Sequence, residues 1–241
     1  MIRKSSFFEY EEIDGELYAS ITQEKEKEIA KKKYEFLLQR SGIPAFYWKI
    51  DFKDYLGTKE SIELKKILHY ANNCHKKEFT HVNLFIYGSQ STQKTAIACN
   101  ILKEAMRKGL RAKFVLAGVL IDKLMKVQGF NTNEKILDEL QNYRDADILC
   151  IDDCWDIDKS LMWKGESKSI IISEWDIFLR DTISSNTRII MTSNYSVDSI
   201  KQYYGVSLFE LVDRSFEAIQ LTESVKKIRK SKLSDVFKEI R

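Results

Sequence analysis

The clearest candidate for chemistry in this sequence is the stretch GSQSTQKT. A glycine, five further residues and a Lys-Thr pair form the frame of a phosphate-binding loop. In such a loop, backbone N–H groups at a helix N-terminus attract phosphate, the lysine adds positive charge, and the threonine hydroxyl can bind Mg²⁺. The residues predicted to bind nucleotide are Gly88, Ser89, Gln90, Ser91, Thr92, Gln93, Lys94 and Thr95.

Two positions depart from the usual form of this loop. Ser91 stands at the customary mid-loop glycine, and Gln93 stands at the glycine that normally precedes the lysine. Glycine suits both places because the backbone approaches phosphate closely and often needs a positive φ. Side chains there could crowd the phosphate or shift the loop, so we predict weakened nucleotide binding or slow turnover.

A second candidate is the aspartate pair that ends the apolar stretch ILCIDD. An acidic residue at such a strand end can hold Mg²⁺, which is the role we predict for Asp152 beside Thr95. Its neighbour, Asp153, can orient the attacking water. The alternative is an ordinary turn or helix cap. The phosphate-binding loop 58 residues earlier, counting from Lys94 to Asp152, favours the functional interpretation.

Two further polar residues occur later in the chain. Asn194 ends the stretch TRIIMTSN, where it could face the terminal phosphate of a nucleotide. The alternative is that Ser-Asn begins a turn and caps the helix VDSIKQYYG. Arg214, in LVDRSF, is one arginine among many and indicates little by itself.

The elements that would position these residues alternate regularly from residue 60 onward. Predicted strands cover 81–87, 111–117, 146–153, 187–193 and 217–221. Predicted helices cover 61–74, 95–109, 118–127, 133–143, 169–183 and 197–205. This alternation predicts an α/β fold with a parallel five-stranded sheet between helices. The loop GSQSTQKT then comes directly after a strand and opens a helix, as phosphate binding requires.

Two shorter regions flank this core. Residues 1–40 combine a possible hairpin turn at Asp14-Gly15 with a helix over 22–40, either a solvated helix with a small docking patch or an arm for a partner protein. The single proline, Pro44, marks a boundary over 41–47. We therefore predict an arm over 1–40, a domain over 41–221 and a short basic tail over 222–241.

Composition narrows the function classes further. The net charge of +3 is too small to establish a nucleic-acid partner. Four cysteines without a CxxC pair predict a reduced, cytoplasmic protein, and three histidines near Cys74 match no common zinc spacing. No apolar run of membrane-spanning length occurs, and the N-terminus lacks the apolar core of a signal peptide, so we expect no membrane association.

Together these motifs resemble the AAA+ helicase loaders of the DnaC and DnaI type and the related transposition helper IstB. The resemblance covers about residues 41–221. The stretch from GSQSTQKT to KLM resembles the family's Walker A loop, first helix, second strand and second helix. DADILCIDD resembles its Walker B strand, and RIIMTSN its sensor-1 strand. SGIPAFYWKIDFKDY resembles the segment leading into the domain, and LVDRSFEAIQL the segment that carries a trans-acting arginine.

The resemblance implies an AAA+ P-loop NTPase that binds ATP or ADP with Mg²⁺ and has a reduced or absent lid. Lys94 and Thr95 would bind phosphate and Mg²⁺, Asp152 would serve the metal, and Asp153 would act in hydrolysis. Asn194 would sense the terminal phosphate, and Arg214 would reach the site of a neighbouring subunit in a homo-oligomer. The zinc-bearing N-terminal domain of the DnaI branch has no counterpart in residues 1–40, which contain no cysteine.

Several functions stay open on this sequence. The first is a slow ATPase that binds single-stranded DNA and delivers a replicative DNA helicase, with Tyr203 and Tyr204 as base-stacking candidates or, alternatively, ordinary helix packing. The second is an IstB-like transposition helper. The third is an adaptor that binds a helicase without turnover, which Ser91 and Gln93 favour. A metabolic kinase is weaker, because neither an acceptor site nor a lid is identifiable.

Overall fold

The structure, a computed structural model, describes residues 3–4, 8–13, 16–128, 133–155 and 168–223. Its helices, α1 to α8 in chain order, are Gln23–Arg40, Ile62–Asn73, Lys94–Arg107, Ala117–Gln128, Glu134–Arg144, Lys168–Ser184, Val197–Tyr204 and Val206–Ser215. Its strands, β1 to β8, are Arg3–Lys4, Phe8–Ile13, Glu16–Ile21, Asn83–Gly88, Ala112–Leu116, Ile148–Cys154, Arg188–Ser193 and Phe216–Leu221.

The central sheet contains five strands in the order β5-β6-β7-β4-β8. Every neighbouring pair in it is parallel, which confirms the predicted five-stranded parallel sheet. Because β4 and β6 are separated only by β7, the ends of these three strands lie side by side. The sequence places its phosphate loop, aspartate pair and Asn194 at those three ends. The topology therefore gathers the candidate residues at one edge of the sheet.

Both faces of the sheet are buried, which explains the continuous apolar runs of its strands. On β4, Leu84 and Ile86 belong to one core, whereas Phe85 belongs to the other. The first core packs the sheet against α2 and α3, and the second packs it against α4 to α8. This two-sided packing fixes the strand ends, and with them the positions of the polar side chains that come after each strand.

The N-terminal region contains a small sheet as well as the predicted helix. Strands β1 to β3 form a separate antiparallel sheet in which Ile13 is paired with Glu16. The predicted turn residues, Asp14 and Gly15, lie outside the described residues. Helix α1 begins after Thr22, whose side chain accepts a hydrogen bond from the Lys25 backbone N–H. The helix predicted over 22–40 is thus present, and its C-terminal end contacts the first core through buried Leu38.

The stretch between α1 and α2, residues 41–61, is called the connecting segment below. It contains short 3₁₀ turns at Ala45–Tyr47 and Phe52–Asp54 and begins close to the sheet, where the Phe114 N–H donates to the Ser41 carbonyl at 2.6 Å. Its Ile43 is buried in the first core. The segment therefore packs on the domain, while the position of the domain boundary within it stays a prediction.

One of the described helices was not predicted. Gly205, a helix end by its sequence pattern, closes α7 and also opens α8, with φ 92° and ψ 173°. Helix α8 then leads directly into β8, so Arg214 lies near the C-terminal end of a helix. The basic cluster 226–232 and most of the predicted tail, on which the reduced or absent lid depends, lie outside the described residues.

Two further observations concern the cysteines and the described helices. Its four cysteines are free thiols and all four are buried. Among the described helices, none combines the length and the apolar character needed to cross a bilayer.

Candidate functional site

The candidate residues line one cavity at the carboxyl ends of the strands. Its volume is about 310 Å³. The lining residues come from the connecting segment, the loop GSQSTQKT with the start of α3, and the ends of β5, β6 and β7: Phe46, Tyr47, Ile50, Gln90, Ser91, Gln93, Lys94, Thr95, Ala96, Leu116, Asp152, Asp153, Thr192 and Asn194. Of the predicted loop residues, Gly88, Ser89 and Thr92 lie outside this lining.

The loop GSQSTQKT has left-handed backbone conformations at the two positions where the motif customarily has glycine. Ser91 has φ 68°, and Gln93 has φ 64° and ψ 22°, so both are in the left-handed region that glycine favours. Position 88 requires glycine for another reason. A Cβ at Gly88 would stand 2.1 Å from the Leu221 carbonyl oxygen of the neighbouring strand. The expected need for positive φ is therefore met by side-chain-bearing residues at a cost of local strain.

Lys94 connects the loop to the end of β7. Its ammonium group donates to the carbonyl oxygens of Gly88 and Ser89, both at 2.9 Å, and to the Asn194 side-chain oxygen at 3.0 Å. Burial lowers the pKa of Lys94, and the carboxylates of Asp153 and Asp152 oppose that change. The site thus holds a positive charge at the first turn of α3, where the helix dipole also favours an anion.

Asp152 is a buried carboxylate of the site. The hydroxyl of Thr95 donates to its carboxylate at 3.0 and 3.1 Å, and the hydroxyl of Thr192 donates to it at 2.6 Å. Burial raises the pKa of Asp152, partly offset by these two hydrogen bonds. Asp152 and Thr95, predicted as metal ligands, therefore lie in direct contact.

Asp153 and Asn194 form the outer part of the cluster. The Asn194 amide donates to the Asp153 carboxylate at 3.2 Å. Asp153 is exposed with φ 58°, and the pairing of β6 with β7 shifts register between Ile151 and Cys154. This bulge turns the two successive aspartates to different depths, Asp152 inward and Asp153 outward. The sequence alternation alone would not have placed both carboxylates on one cavity.

Three contributions to the cavity were missed by the sequence patterns. Thr192 is the next-to-last residue of β7 and joins Asp152 to the Asp153 backbone, whose N–H donates to the Thr192 hydroxyl at 3.0 Å. The only signal was its hydroxyl side chain two positions before Asn194. Phe46, Tyr47 and Ile50 supply an apolar wall from the connecting segment, and Leu116 adds another apolar side chain from β5. The segments that contain these residues carry the family resemblance, but no residue pattern singles out these side chains as lining the cavity.

Arg214 is not part of this cluster. Its side chain is 76% exposed, and its Nη2 lies 3.7 Å from a carboxylate oxygen of Glu210, one turn earlier on α8. The residues lining the cavity do not include it. Arg214 thus serves no role inside its own subunit's cavity in this structure, and its trans-acting role stays a prediction.

The tyrosine pair proposed for base stacking is also separate from the site. Tyr204 is buried, its ring centroid lies 5.0 Å from that of Trp155, and its hydroxyl donates to the Trp155 carbonyl. It packs in the second core, so it is not a stacking platform for nucleic acid. The side chain of Tyr203 is not among those the structure describes.

The donor set fits Mg²⁺ with a phosphate ester. A hydroxyl and a carboxylate in contact are hard oxygen ligands of the kind Mg²⁺ takes, with further ligands from phosphate and water. A buried ammonium and free backbone N–H groups at a helix N-terminus attract phosphate oxygens. The apolar side chains that line the same cavity suit the flat face of a base. The cavity therefore combines the three chemical surfaces that a nucleoside triphosphate presents.

Comparisons with known proteins agree with this geometry at the level of the fold. A scan against protein-family profiles finds no match, and a search of curated proteins finds none either. Among solved structures, the chain is similar to DnaI, with a TM-score of 0.60, 14% identity, and coverage of 76% of this chain and 96% of that one. It is also similar to the DnaC helicase loader, with a TM-score of 0.53, 20% identity, and coverage of 74% and 99%.

A third similar structure is the replication initiator DnaA bound to AMPPCP and single-stranded DNA. Its TM-score is 0.57 at 18% identity, with coverage of 78% of this chain and 55% of that one, so the chain spans about half of that DnaA chain. Together with the parallel sheet and its loop, these likenesses define the class: the chain has the AAA+ P-loop NTPase fold.

Proposed function

We propose that this chain is an AAA+ ATPase that acts as a replication helicase loader, using ATP to assemble on single-stranded DNA and deliver a replicative helicase. The observation that carries the proposal is the convergence of Lys94, Thr95, Asp152, Asp153 and Asn194 on one cavity, although they come from three separate strand ends. The likeness of the fold to DnaI and to the DnaC helicase loader supports the loader role.

In this proposal each residue has one task. Thr95 and Asp152 hold Mg²⁺, which supplies charge neutralisation at the phosphates when it is bound. Lys94 and the backbone N–H groups of the loop bind phosphate oxygens. Asp153, exposed at the mouth of the cavity, orients water and accepts its proton, and Asn194 keeps the Asp153 carboxylate in place through its amide.

The partners are inferred from surfaces outside the cavity. Exposed Arg214 is free to approach the cavity of a second copy, which predicts a homo-oligomer as the working form. Single-stranded DNA is proposed as the nucleic acid on which the protein assembles, in keeping with the DnaA structure that contains it. Residues 1–40 are proposed as the helicase contact. The four free thiols support a reducing, cytoplasmic location.

A second candidate is an adaptor that binds a helicase without turnover. Ser91 and Gln93 favour it, because each carries a side chain in a loop that normally holds phosphate with glycines. The completeness of the remaining cluster, from Lys94 to Asn194, favours a working ATPase.

Phosphate release from ATP, measured with and without single-stranded DNA, tests the proposal. The wild type is expected to release phosphate slowly and faster with DNA. Asp153→Asn should lower the rate about 100-fold or more while leaving ATP binding intact, because it removes the proton acceptor. Equal, background-level release by both proteins, alongside normal ATP binding, would support the adaptor instead.

A further inference from the structure

The glutamine that replaces a glycine in the loop makes a contact that glycine could not make. The Gln93 side-chain oxygen accepts a hydrogen bond at 2.9 Å from the backbone N–H of Leu56, 37 residues earlier in the chain. Its backbone stays in the left-handed region, so the loop shape is kept while the side chain extends to the connecting segment. Gln93 thereby links the phosphate-binding loop to a separate part of the chain.

The connecting segment is also held from two other elements. Lys103 of α3, whose side chain is fully buried, donates to the Tyr47 carbonyl at 2.9 Å and to the Ile50 carbonyl. At the other end of the segment, the N–H and hydroxyl of Thr58 donate to the carboxylate of Glu223, just after β8. These contacts fix the two ends, and the Gln93 bond ties the stretch between them to the loop itself.

The connecting segment also forms the apolar side of the cavity. Phe46, Tyr47 and Ile50 line it, as do Gln93 and Lys94 of the loop. Phe46 is 70% exposed, so contact with a bound base would remove apolar surface of both the ring and the base from water. Whatever sets the distance between the connecting segment and the loop therefore sets how closely the apolar wall lies against a nucleoside bound in the cavity.

We propose that Gln93 is a positioning residue that ties the phosphate-binding loop to the connecting segment and so holds the apolar wall against the nucleoside part of the bound nucleotide. The inference rests on the proposed function, since it assigns a task to a residue of the same site. Glycine at this position would leave the loop and the wall joined less directly. The departure from the usual motif then acts on the nucleoside side of the cavity, with phosphate still bound by backbone and Lys94.

The test compares two ligands that share the phosphate chemistry and differ in the nucleoside: MgATP and magnesium tripolyphosphate. Dissociation constants are measured for the wild type, Gln93→Ala, Leu56→Pro and the double variant, after thermal unfolding confirms that each is folded. Gln93→Ala removes the acceptor, and alanine tolerates the left-handed region no better than glutamine. Leu56→Pro removes the N–H donor, and Tyr55 before it already has the extended conformation that precedes proline.

The proposal predicts that each single variant weakens MgATP binding about 2- to 10-fold, the factor that one net hydrogen bond is worth. The affinity for tripolyphosphate should stay within about twofold of that of the wild type. The double variant should bind MgATP no more weakly than the single variant with the lower affinity, because both changes break the same hydrogen bond. Unchanged MgATP affinity in Gln93→Ala, equal losses for both ligands, or additive losses in the double variant would each overturn it. A wild type that fails to bind MgATP would overturn the proposed function as well.

Discussion

At the scale of single residues, the buried carboxylate of Asp152 lowers the free energy of unfolding of the protein. Burial raises its pKa, so its ionised form is held at an unfavourable position unless a cation is present. A carboxyl group with a raised pKa binds its proton more tightly in the folded state. The free energy of unfolding therefore falls as pH rises from the ordinary aspartate pKa through the raised one, and it stays lower above that range.

Replacing Asp152 with asparagine should reverse this cost. Without Mg²⁺ at neutral pH, Asp152→Asn is expected to raise the free energy of unfolding, since the amide oxygen still accepts from Thr95 and Thr192 while the buried charge is gone. The same change should abolish Mg²⁺-dependent phosphate release. Denaturant unfolding at several pH values measures the first effect. The pH-dependent loss above the ordinary aspartate pKa should shrink in the variant.

Asp153→Asn is the matched control for this prediction. Asp153 is exposed and asparagine tolerates its left-handed backbone, so the free energy of unfolding should change by less than about 0.5 kcal/mol. Both variants should lose hydrolysis, but only Asp152→Asn should gain stability. A destabilised Asp152→Asn would mean that the carboxylate charge stabilises the apo fold, contrary to our interpretation.

The residues that the sequence identified and those it missed differ in how they reach the site. Lys94 and Asn194 come after strands, and the ends of parallel strands meet at one edge, so strand patterns were enough to group them. Thr192 and the Gln93–Leu56 bond depend on the register shift in β6 and on a side-chain conformation, neither of which leaves a periodic signal. The pKa shifts depend on burial and were likewise out of reach.

At the scale of elements, helix α1 is the part whose role the sequence left open. Its C-terminal end is packed and its surface is otherwise largely solvated: Leu38 is 8% exposed within the first core, whereas Phe36, half a turn away, is 53% exposed. The helix is thus anchored at one end. The long apolar strands of the sheet could be predicted, but α8 could not, because Gly205 marks a helix end in sequence and in fact serves two helices.

Leu38→Ala should lower the free energy of unfolding by about 2–3 kcal/mol, the usual cost of a cavity at a buried leucine. Phe36→Ala should cost less than about 1 kcal/mol, because this ring is mostly exposed, with the Arg40 guanidinium 4.4 Å from its centroid. Denaturant unfolding of both variants gives the comparison. Equal small effects would indicate that α1 is not docked on the core and that residues 1–40 form an independent arm.

At the scale of the whole molecule, the proposed mechanism requires more than one copy. The cavity contains the groups that we propose bind phosphate, hold the metal and orient water, while Arg214 is exposed on α8 outside it. A second copy could bring this arginine to the cavity, where a cation would stabilise the charge that develops in phosphoryl transfer. The sequence could identify Arg214 as a candidate but could not show whether it acts in its own subunit or in a neighbouring one. A trans role depends on an assembly and not on the fold of one chain.

Arg214→Ala should bind ATP normally and lose DNA-stimulated phosphate release about 100-fold, the usual effect of removing one charge-stabilising group. Glu210→Ala removes its ion-pair partner and should keep the activity. Mixing Arg214→Ala with Asp153→Asn should restore release, because one variant supplies the arginine and the other the intact cavity. Failure of the mixture to recover, or a Glu210→Ala defect equal to that of Arg214→Ala, would contradict action in trans.

The central claim is that the cavity binds a magnesium nucleotide through GSQSTQKT. It is tested most directly by calorimetric titration of MgATP into the wild type, Lys94→Ala and, as a control, Lys66→Ala, whose side chain is half exposed and paired with Glu217 on the surface. We expect saturable binding by the wild type and Lys66→Ala and none by Lys94→Ala, with all three folded. Wild-type protein that shows no binding at millimolar nucleotide, or a Lys94→Ala variant with wild-type affinity, would contradict the claim.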